Sequence, residues 1–271
     1  MIGITGASGW FGKNSLMSIQ ENYLEHVSKY VIPFSSSCKK VVYSKKFDPI
    51  QSYNLEKIVN YNNFSGLIHN AFIRGKLANN FSLKEYISKN RSITNNIVQT
   101  LKNNPNIPII CFSSGIVNSI SYKEKNISLN PYAYLKFEEE LRLKEMVNSR
   151  MVIIFRVFAA TGPHLTIPSY YALSDFLEEA RNYNRISIKS ESYLYRSYVY
   201  LPDLMQLCFR ILQKPLQNGY YVFDACSENL EIGDIAKSIQ KLYKNLEIKR
   251  NLNRSQSASY VGDTRNFKNL L

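Results

Sequence analysis

Short apolar runs alternate with longer helix-like stretches from the first residue onward, and that rhythm admits few architectures. Residues 1–5, 30–34, 66–71, 107–113 and 151–158 read as buried strands, and helical segments are expected over 12–24, 54–60, 83–103 and 131–148. Strand and helix in repeated alternation predict a parallel sheet with helices on both faces, the α/β doubly wound class. After Arg156 the rhythm changes to a Gly162-Pro163 turn, a helix-like stretch over 169–182, a short strand near 186–189 and the run YRSYVYL at 195–201. The helix-like 202–213 and strand-like YYVFDA at 220–225 are expected to rejoin the main sheet. The expected organisation is a main domain over 1–165, to which 202–226 returns, and a smaller C-terminal lobe over 166–271. SSSCKK at 35–40 reads as a polar loop and NRSQSAS at 251–258 as a mobile one.

Composition narrows the class further. At 271 residues the chain can bury a substantial core, and no apolar run is long enough to cross a bilayer. No basic-then-apolar leader precedes the first strand, so a cytoplasmic protein is expected. The four cysteines and three histidines are scattered without metal-ligand spacing, which predicts free thiols and no metal site. A net charge of +13 suits anionic ligands, but the lysines are spread along the chain and form no basic block. Nucleic acid is therefore not the expected partner.

The opening MIGITGASGWFG places Gly6, Gly9 and Gly12 directly after the first strand and at the start of a helix. Gly6 permits a tight turn, Gly9 lets the backbone approach a pyrophosphate, and Gly12 allows the helix to lie close to the sheet. The phosphates would sit at the helix N-terminus, where unpaired N–H groups and the helix dipole stabilise negative charge. Ser8, Trp10 and Phe11 lie on the same turn and are placed with it, their backbones toward the pyrophosphate or their rings in the core. This Gly-x-x-Gly-x-x-Gly context predicts a Rossmann-type dinucleotide site. The second strand should end beside the adenosine ribose, where an NAD site usually offers a carboxylate. Here stand Ser35, Ser36, Ser37, Cys38, Lys39 and Lys40, hydroxyls and positive charge suited to a 2′-phosphate; NADP is expected, with NAD as the alternative.

NPYAYLK at 130–136 supplies chemistry. Asn130 is a good N-cap and Pro131 a good first helical residue, so Tyr132 should lie in the first turn. Tyr132 is four residues before Lys136 and shares its helix face, whereas Tyr134 does not. A nearby ammonium stabilises a phenolate, which would make Tyr132 a general acid or base near neutral pH. Upstream, IPIICFSSGIV brings Ser113 and Ser114 to the carboxyl end of a buried strand, the edge where such sheets bind ligands.

Taken together these segments resemble the extended short-chain dehydrogenase/reductases of the NAD-dependent epimerase/dehydratase family, over almost the whole length. Besides GASGWFG, the similarity includes FDP at 47–49, whose Asp48 resembles an adenine-contacting Asp, and LIHNAF at 67–72, which resembles a cofactor-lining strand and brings in Asn70, Ala71 and Phe72. NRSITNNIV at 90–98 is similar to a family helix that starts with Asn90, and RVFAATGP resembles R-x-F-N-x-x-G-P, adding Phe158. YRSYVYLPDL resembles a segment whose arginine, here Arg196, often binds substrate phosphates.

The resemblance implies that NAD(P) exchanges hydride with a sugar carbon while Tyr132 moves the proton, Ser114 orients the oxygen and Lys136 holds the nicotinamide ribose. It also implies a homodimer through helices that include 83–103 and 131–148. Arg74 is placed toward a cofactor phosphate or solvent, Asn90 toward the active site through water, His164 toward substrate or solvent, and Arg196 toward substrate phosphate or a surface salt bridge. Two departures matter. Gly115-Ile116 stands where the family's 4,6-dehydratases carry Asp-Glu, which disfavours dehydration, and Ala159 replaces an Asn that often touches substrate. The expected function is therefore an NADP-dependent reductase of a nucleotide-activated keto sugar; the alternatives are an NAD-dependent nucleotide-sugar epimerase and, from another class, a noncatalytic Rossmann protein that binds nucleotide or RNA.

Overall fold

A computed structural model describes residues 1–120, 127–165, 171–253 and 257–270, the side chains of 75–77 excepted. The chain divides into two compact units, Met1–Arg156 with Pro202–Phe223, and Val157–Leu201 with Asp224–Leu271. The first boundary thus falls at Arg156–Val157, earlier than residue 165, and 202–223 belongs with the first unit.

The first unit alternates as its apolar runs demand: β1 (Ile2–Thr5), α1 (Trp10–Gln20), β2 (Val31–Ser35), β3 (Lys39–Val41), β4 (Ile50–Asn54), β5 (Gly66–His69), α2 (Leu83–Asn103), β6 (Ile109–Ser114), α3 (Pro131–Lys144) and β7 (Met151–Val157). In the second unit follow β8 (Ala159–Thr161), α4 (Ala172–Tyr183), β9 (Arg185–Ile188) and β10 (Tyr193–Tyr200). The chain returns through α5 (Leu201–Gln213) and β11 (Gly219–Ala225), then ends with β12 (Glu228–Glu231), α6 (Ile232–Gln240), β13 (Glu247–Arg250), β14 (Ser257–Tyr260) and α7 (Thr264–Lys268).

The described strands of the first unit form an eight-stranded sheet in the order β11-β7-β6-β5-β1-β2-β4-β3. β1 pairs in parallel with β2 on one side and with β5 on the other. The winding direction reverses there, so the carboxyl ends of β1 and β5 flank the crevice in which open α/β sheets bind ligands. β1, β5 and β6 are buried along their whole length, which is why they read as unbroken apolar runs. Phe34, Leu67, Ile97, Leu101, Ile109 and Ile154 pack one core of this unit.

Helix bounds follow local chemistry. Ser82 and Glu85 form a reciprocal capping box, with Glu85 Oε2 accepting from Ser82 N at 2.9 Å, so α2 starts at Leu83 as the pattern predicts. Asn130 Oδ1 accepts from Ala133 N at 3.1 Å and Pro131 occupies the first turn, which fixes the start of α3. The stretch expected as a helix over 54–60 is instead 3₁₀ over Leu55–Asn60, a short piece capped by Asn54 and holding β-branched Ile58 and Val59. Lys39–Val41 of the expected polar loop is an edge strand antiparallel to β4; only Val41 is buried, so no alternation betrayed it.

In the second unit β10 is central, antiparallel to β12 and parallel to β14 and β8. Its core gathers Phe176, Ile186, Tyr198, Ile232, Ile235 and Ile239. Arg250 Nη2 and Nη1 donate to the two oxygens of Glu231 at 3.0 Å each, and the same carboxylate caps α6 through Gly233 N. The segment expected as mobile over 251–258 ends in β14, which pairs in register from Tyr193↔Ser257 to Arg196↔Tyr260; residues 254–256 lie outside the described residues.

A Cβ added at Gly12 would lie 2.3 Å from Gly6 O and 2.5 Å from Ala7 Cα, backbone that cannot swing away. Gly12→Ala should therefore destabilise the first unit by about 1–3 kcal/mol or more through overpacking, read as a fall of several degrees in Tm. An unchanged Tm would contradict this packing.

Candidate active site

The glycine loop leaves β1 through Gly6, which adopts φ 64°, and a Cβ there would lie 2.9 Å from Ala71 N. Only glycine satisfies both the left-handed backbone and that close pass. Gly9 is the extended N-cap of α1 and offers no side-chain cap, and the first turn carries no acid. No side chain caps the start of α1, so the positive end of its dipole suits an anion held there. Ser8, Trp10 and Phe11 are half-buried. Phe11 packs edge-on against Phe112 at 5.3 Å and against Trp10 at 5.7 Å, so these rings join the start of α1 to β6.

Three polar atoms at strand ends are buried and lack a partner among the described residues: Ser35 Oγ at the end of β2, Asn70 Oδ1 after β5 and Ser113 Oγ in β6. Leaving such atoms unpaired is costly, and together with the glycine loop they fit a ligand rich in hydroxyl and amide groups, as a dinucleotide is. Ser36, Ser37 and Lys39 follow Ser35 as exposed residues. Asp48 requires correction. It lies just before β4, which runs parallel to β2, and its carbonyl accepts from His26 Nε2 at 2.9 Å on the amino-end side of β2. A five-residue strand, about 17 Å, separates it from the ligand edge. The residue at that edge is Asn54, paired in register with Ser35, and its Oδ1 caps the following 3₁₀ turn through Glu56 N.

α3 packs against β6 and the turn that follows it. Tyr132 and Lys136 meet at a single ring: Phe72 lies edge-on to Tyr132 at 5.6 Å, and Lys136 Nζ sits 4.2 Å from its centroid. Ala71, next to it, is buried and donates its N–H to Thr5 Oγ1. Arg74 stacks over the Tyr132 ring at 5.1 Å. Ser114 closes β6, 7% exposed, with its Oγ accepting from Ile116 N at 3.4 Å. Arg156 reaches back from β7 to Glu140 of α3 in a two-pronged pair, Nε to Oε1 at 3.0 Å and Nη2 to Oε2 at 2.5 Å, and holds Asn118 through Nη1.

Lys136 is not a lone ammonium. Its Nζ donates to Phe112 O at 2.8 Å and to Glu139 Oε2 at 2.7 Å. Glu139 Oε1 meets His69 Nε2 at 3.1 Å and accepts from Thr94 Oγ1 at 3.4 Å, while Cys111 Sγ donates to Oε2 at 3.5 Å. Burial alone would raise the Glu139 carboxyl, but the Lys136 charge and His69 outweigh it and bring it down to about 2. Burial likewise disfavours the charged amine, yet Glu139 holds Lys136 above the ordinary lysine range. The Cys111 thiol is pushed well up by burial and by Glu139. His69, Cys111 and Glu139 bring ligand atoms within 4.8 Å of one another, a grouping that sequence spacing did not anticipate; the cation paired with that carboxylate is Lys136.

Other predicted positions lie elsewhere. Asn90 is buried, but its Oδ1 accepts from Ile73 N at 2.8 Å and its Nδ2 donates to Ile73 O and Tyr86 O. Its amide pins the segment after β5 to α2, a structural use of the side chain where a water-mediated link to the active site was expected. Phe158, His164 and Arg196 belong to the second unit. There Phe158 is buried against Tyr260 at 5.0 Å, and His164 takes a left-handed φ of 63°. Arg196 lies over the Tyr260 ring at 5.9 Å and donates to Tyr195 O. Sequence reasoning missed Thr5, His69, Glu139 and Asn54; the only cue was that Asn54 is itself a capping residue type at the end of a strand-like run.

A winding reversal, a glycine turn on a helix start and a Tyr/Lys helix beside a strand-end serine define a nucleotide-binding α/β enzyme fold. The model of the NAD dependent epimerase/dehydratase family matches residues 2–223, and the chain belongs to that family. Among solved structures it is similar to the UDP-N-acetylglucosamine 4-epimerase of Methanobrevibacter ruminantium, with 18% identity, a TM-score of 0.73, and 99% of this chain and 91% of that chain covered. The UDP-glucose 4-epimerase of Thermotoga maritima gives 15%, 0.73, 99% and 91%. The NAD-dependent NDP-hexosamine 5,6-dehydratase TunA gives 14%, 0.72, 99% and 90%. No curated protein matches the chain in sequence. Among the described residues no helix is long and apolar enough to cross a membrane.

Because Glu139 lies near 2 when folded against an ordinary value of 4.5, its contribution to stability is present above pH 4.5 and is lost as pH falls toward 2. Glu139→Gln should cost about 3 kcal/mol at pH 7, with the gap to the native chain closing across that window. Denaturant unfolding at stepped pH checks it; a gap independent of pH would be inconsistent.

Proposed function

We propose that the protein reduces a nucleotide-activated keto sugar, with NADP as its preferred cofactor. The observation that carries this reading is the meeting of Tyr132 and Lys136 at the Phe72 ring, on a helix packed against the strand that ends in Ser113 and Ser114. Bound dinucleotide would supply the hydride chemistry. The residues that would hold it are the Gly6–Gly12 loop with the first N–H groups of α1, Ser35, Asn70 and Ser113 with their unpaired polar atoms, and Lys136 at the nicotinamide ribose. Tyr132 moves the proton to or from the sugar oxygen, and the Ser114 hydroxyl orients that oxygen. Positioning of this kind, more than any single strong contact, is what the protein contributes.

The NADP preference rests on the end of β2. No carboxylate stands among residues 35–40, and Ser36, Ser37, Lys39 and Lys40 are exposed there, a setting compatible with a 2′-phosphate. The substrate class is supported by the similar structures, which are enzymes of UDP- or NDP-linked sugars. A second reading, an NAD-linked nucleotide-sugar epimerase, is favoured by the fact that two of those structures are UDP-sugar 4-epimerases. Dehydration is disfavoured: Gly115 and Ile116 open a 3₁₀ turn where an acid pair would be needed, and Ile116 N is bonded to Ser114 Oγ. A second copy would pack on the outer faces of α2 and α3, where Leu83 and Leu141 are exposed.

Titration of the purified protein with NADPH and NADH, followed by a nucleotide-sugar screen, separates these readings. Net NADPH oxidation with a keto sugar supports reduction, interconversion of two sugars without net cofactor turnover supports epimerisation, and binding of neither dinucleotide sinks both. Tyr132→Phe should lower kcat by about 100- to 10,000-fold while dinucleotide affinity stays unchanged. Retained turnover would remove the phenol from the chemistry.

A further inference from the structure

Lys136 is 5% exposed, Glu139 1% and His69 1%, so three ionisable side chains share one interior site, and the bonds around them have a definite direction. Thr5 Oγ1 accepts from both Asn70 N and Ala71 N at 3.2 Å. With both lone pairs engaged, its own proton goes to His69 Nδ1, 2.7 Å away. His69 Nδ1 is then an acceptor, the ring is neutral with its hydrogen on Nε2, and that N–H points at Glu139 Oε1. The carboxylate receives His69 on one oxygen, near which Thr94 shares its proton with Asn90 O, and Lys136 and Cys111 on the other. It is thus ionised and cannot rotate without breaking its bonds to His69, Lys136 and Cys111.

We infer that Glu139 is a positioning residue for Lys136: the chain Thr5–His69–Glu139 holds the ammonium in one place and in one charge state, leaving its remaining N–H for a ligand. This rests on the reading of Lys136 as the cation at the nicotinamide ribose. The arrangement also links the ligand-binding edge to itself, because Thr5 immediately precedes the glycine loop and Asn70 and Ala71 immediately follow β5. The groups that face Lys136 are Glu139 and Tyr132 from α3, Cys111 from β6 and Tyr86 from α2, with His69 of β5 behind Glu139. Of these Glu139 is the one that bonds the amine through a carboxylate, so it is the one that keeps a desolvated amine protonated. Glu139 lies three residues after Lys136, one turn along the same helix, so the pair is set by α3 itself.

The test follows the Lys136 amine directly, by ¹⁵N NMR across a pH series, its signal assigned by loss in Lys136→Met. Glu139→Gln should make the amine lose its proton about one pH unit or more below the native chain, and Glu139→Asp should recover most of that difference. NADPH affinity should fall at the same lowered pH in Glu139→Gln, and the Gln substitution should have no further effect on affinity in a Lys136→Met background. An amine in Glu139→Gln that titrates with the native one overturns the inference, as does full additivity with Lys136→Met. Should Glu139→Gln fail to fold, Thr5→Val breaks the far end of the chain and is expected to shift the amine in the same direction by a smaller amount; no shift overturns it. If the amine shifts as expected but Lys136→Met leaves NADPH affinity intact, the positioning role stands and the functional reading of Lys136 is what fails.

Discussion

Everything at the ligand-binding edge depends on how closely two exits from the sheet approach each other. The chain leaving β1 at Gly6 passes so near the chain leaving β5 that a single added carbon would lie 2.9 Å from Ala71 N. Thr5 Oγ1 locks the approach by accepting the N–H groups of Asn70 and Ala71. The contact sits at the point where the winding of the sheet reverses, so it sets both the glycine loop and the segment bearing Phe72 and Arg74. Phe72 in turn is the ring that Tyr132 and Lys136 share. One backbone junction therefore positions the anion-binding turn and the Tyr/Lys helix relative to each other.

The same junction explains which features could be read from sequence. Motifs confined to one segment were legible: the glycine triplet, the Asn130-Pro131 helix start and the continuous apolar strands all carry their cause within a few residues. Features whose cause lies across the sheet were not. Asp48 looked like a ligand contact because FDP fits a family pattern, yet the strand it precedes is Ile50–Asn54, which puts the aspartate at the opposite edge and Asn54 opposite Ser35. β3 and β14 are edge strands exposed except at their last residues, buried Val41 and half-buried Tyr260, and so lack the alternation that half-burial imposes. His69, Cys111 and Glu139 are far apart in sequence, and nothing in their separate surroundings announces that they meet.

Electrostatics at the site differ from what a Tyr-x-x-x-Lys pattern suggests by itself. There, the ammonium acts on the phenol as an isolated positive charge. Here it is half of a buried ion pair, and the field reaching Tyr132 is that of a dipole, which falls off faster with distance. The +13 of the whole chain does not alter this, because most of those lysines are on the surface and screened by salt. What Glu139 offers is constancy: a desolvated amine without a partner would release its proton easily, whereas this one is held in its charged form.

Discrimination at the other end of the ligand follows a different logic. Ser35 is 1% exposed and its hydroxyl has no partner among the described residues, so a bound molecule that supplies one relieves a standing cost, whichever nucleotide it belongs to. Asn54 beside it already uses its side-chain oxygen to cap a turn and is neutral. Neither residue can repel a phosphate, and neither can offer the paired acceptors of a carboxylate to two ribose hydroxyls. Under the proposed NADP preference, specificity at this end would come from the exposed residues that follow, where Lys39 and Lys40 favour added negative charge through long-range attraction more than fixed geometry. A preference built that way weakens as salt rises, unlike one built on a buried acid.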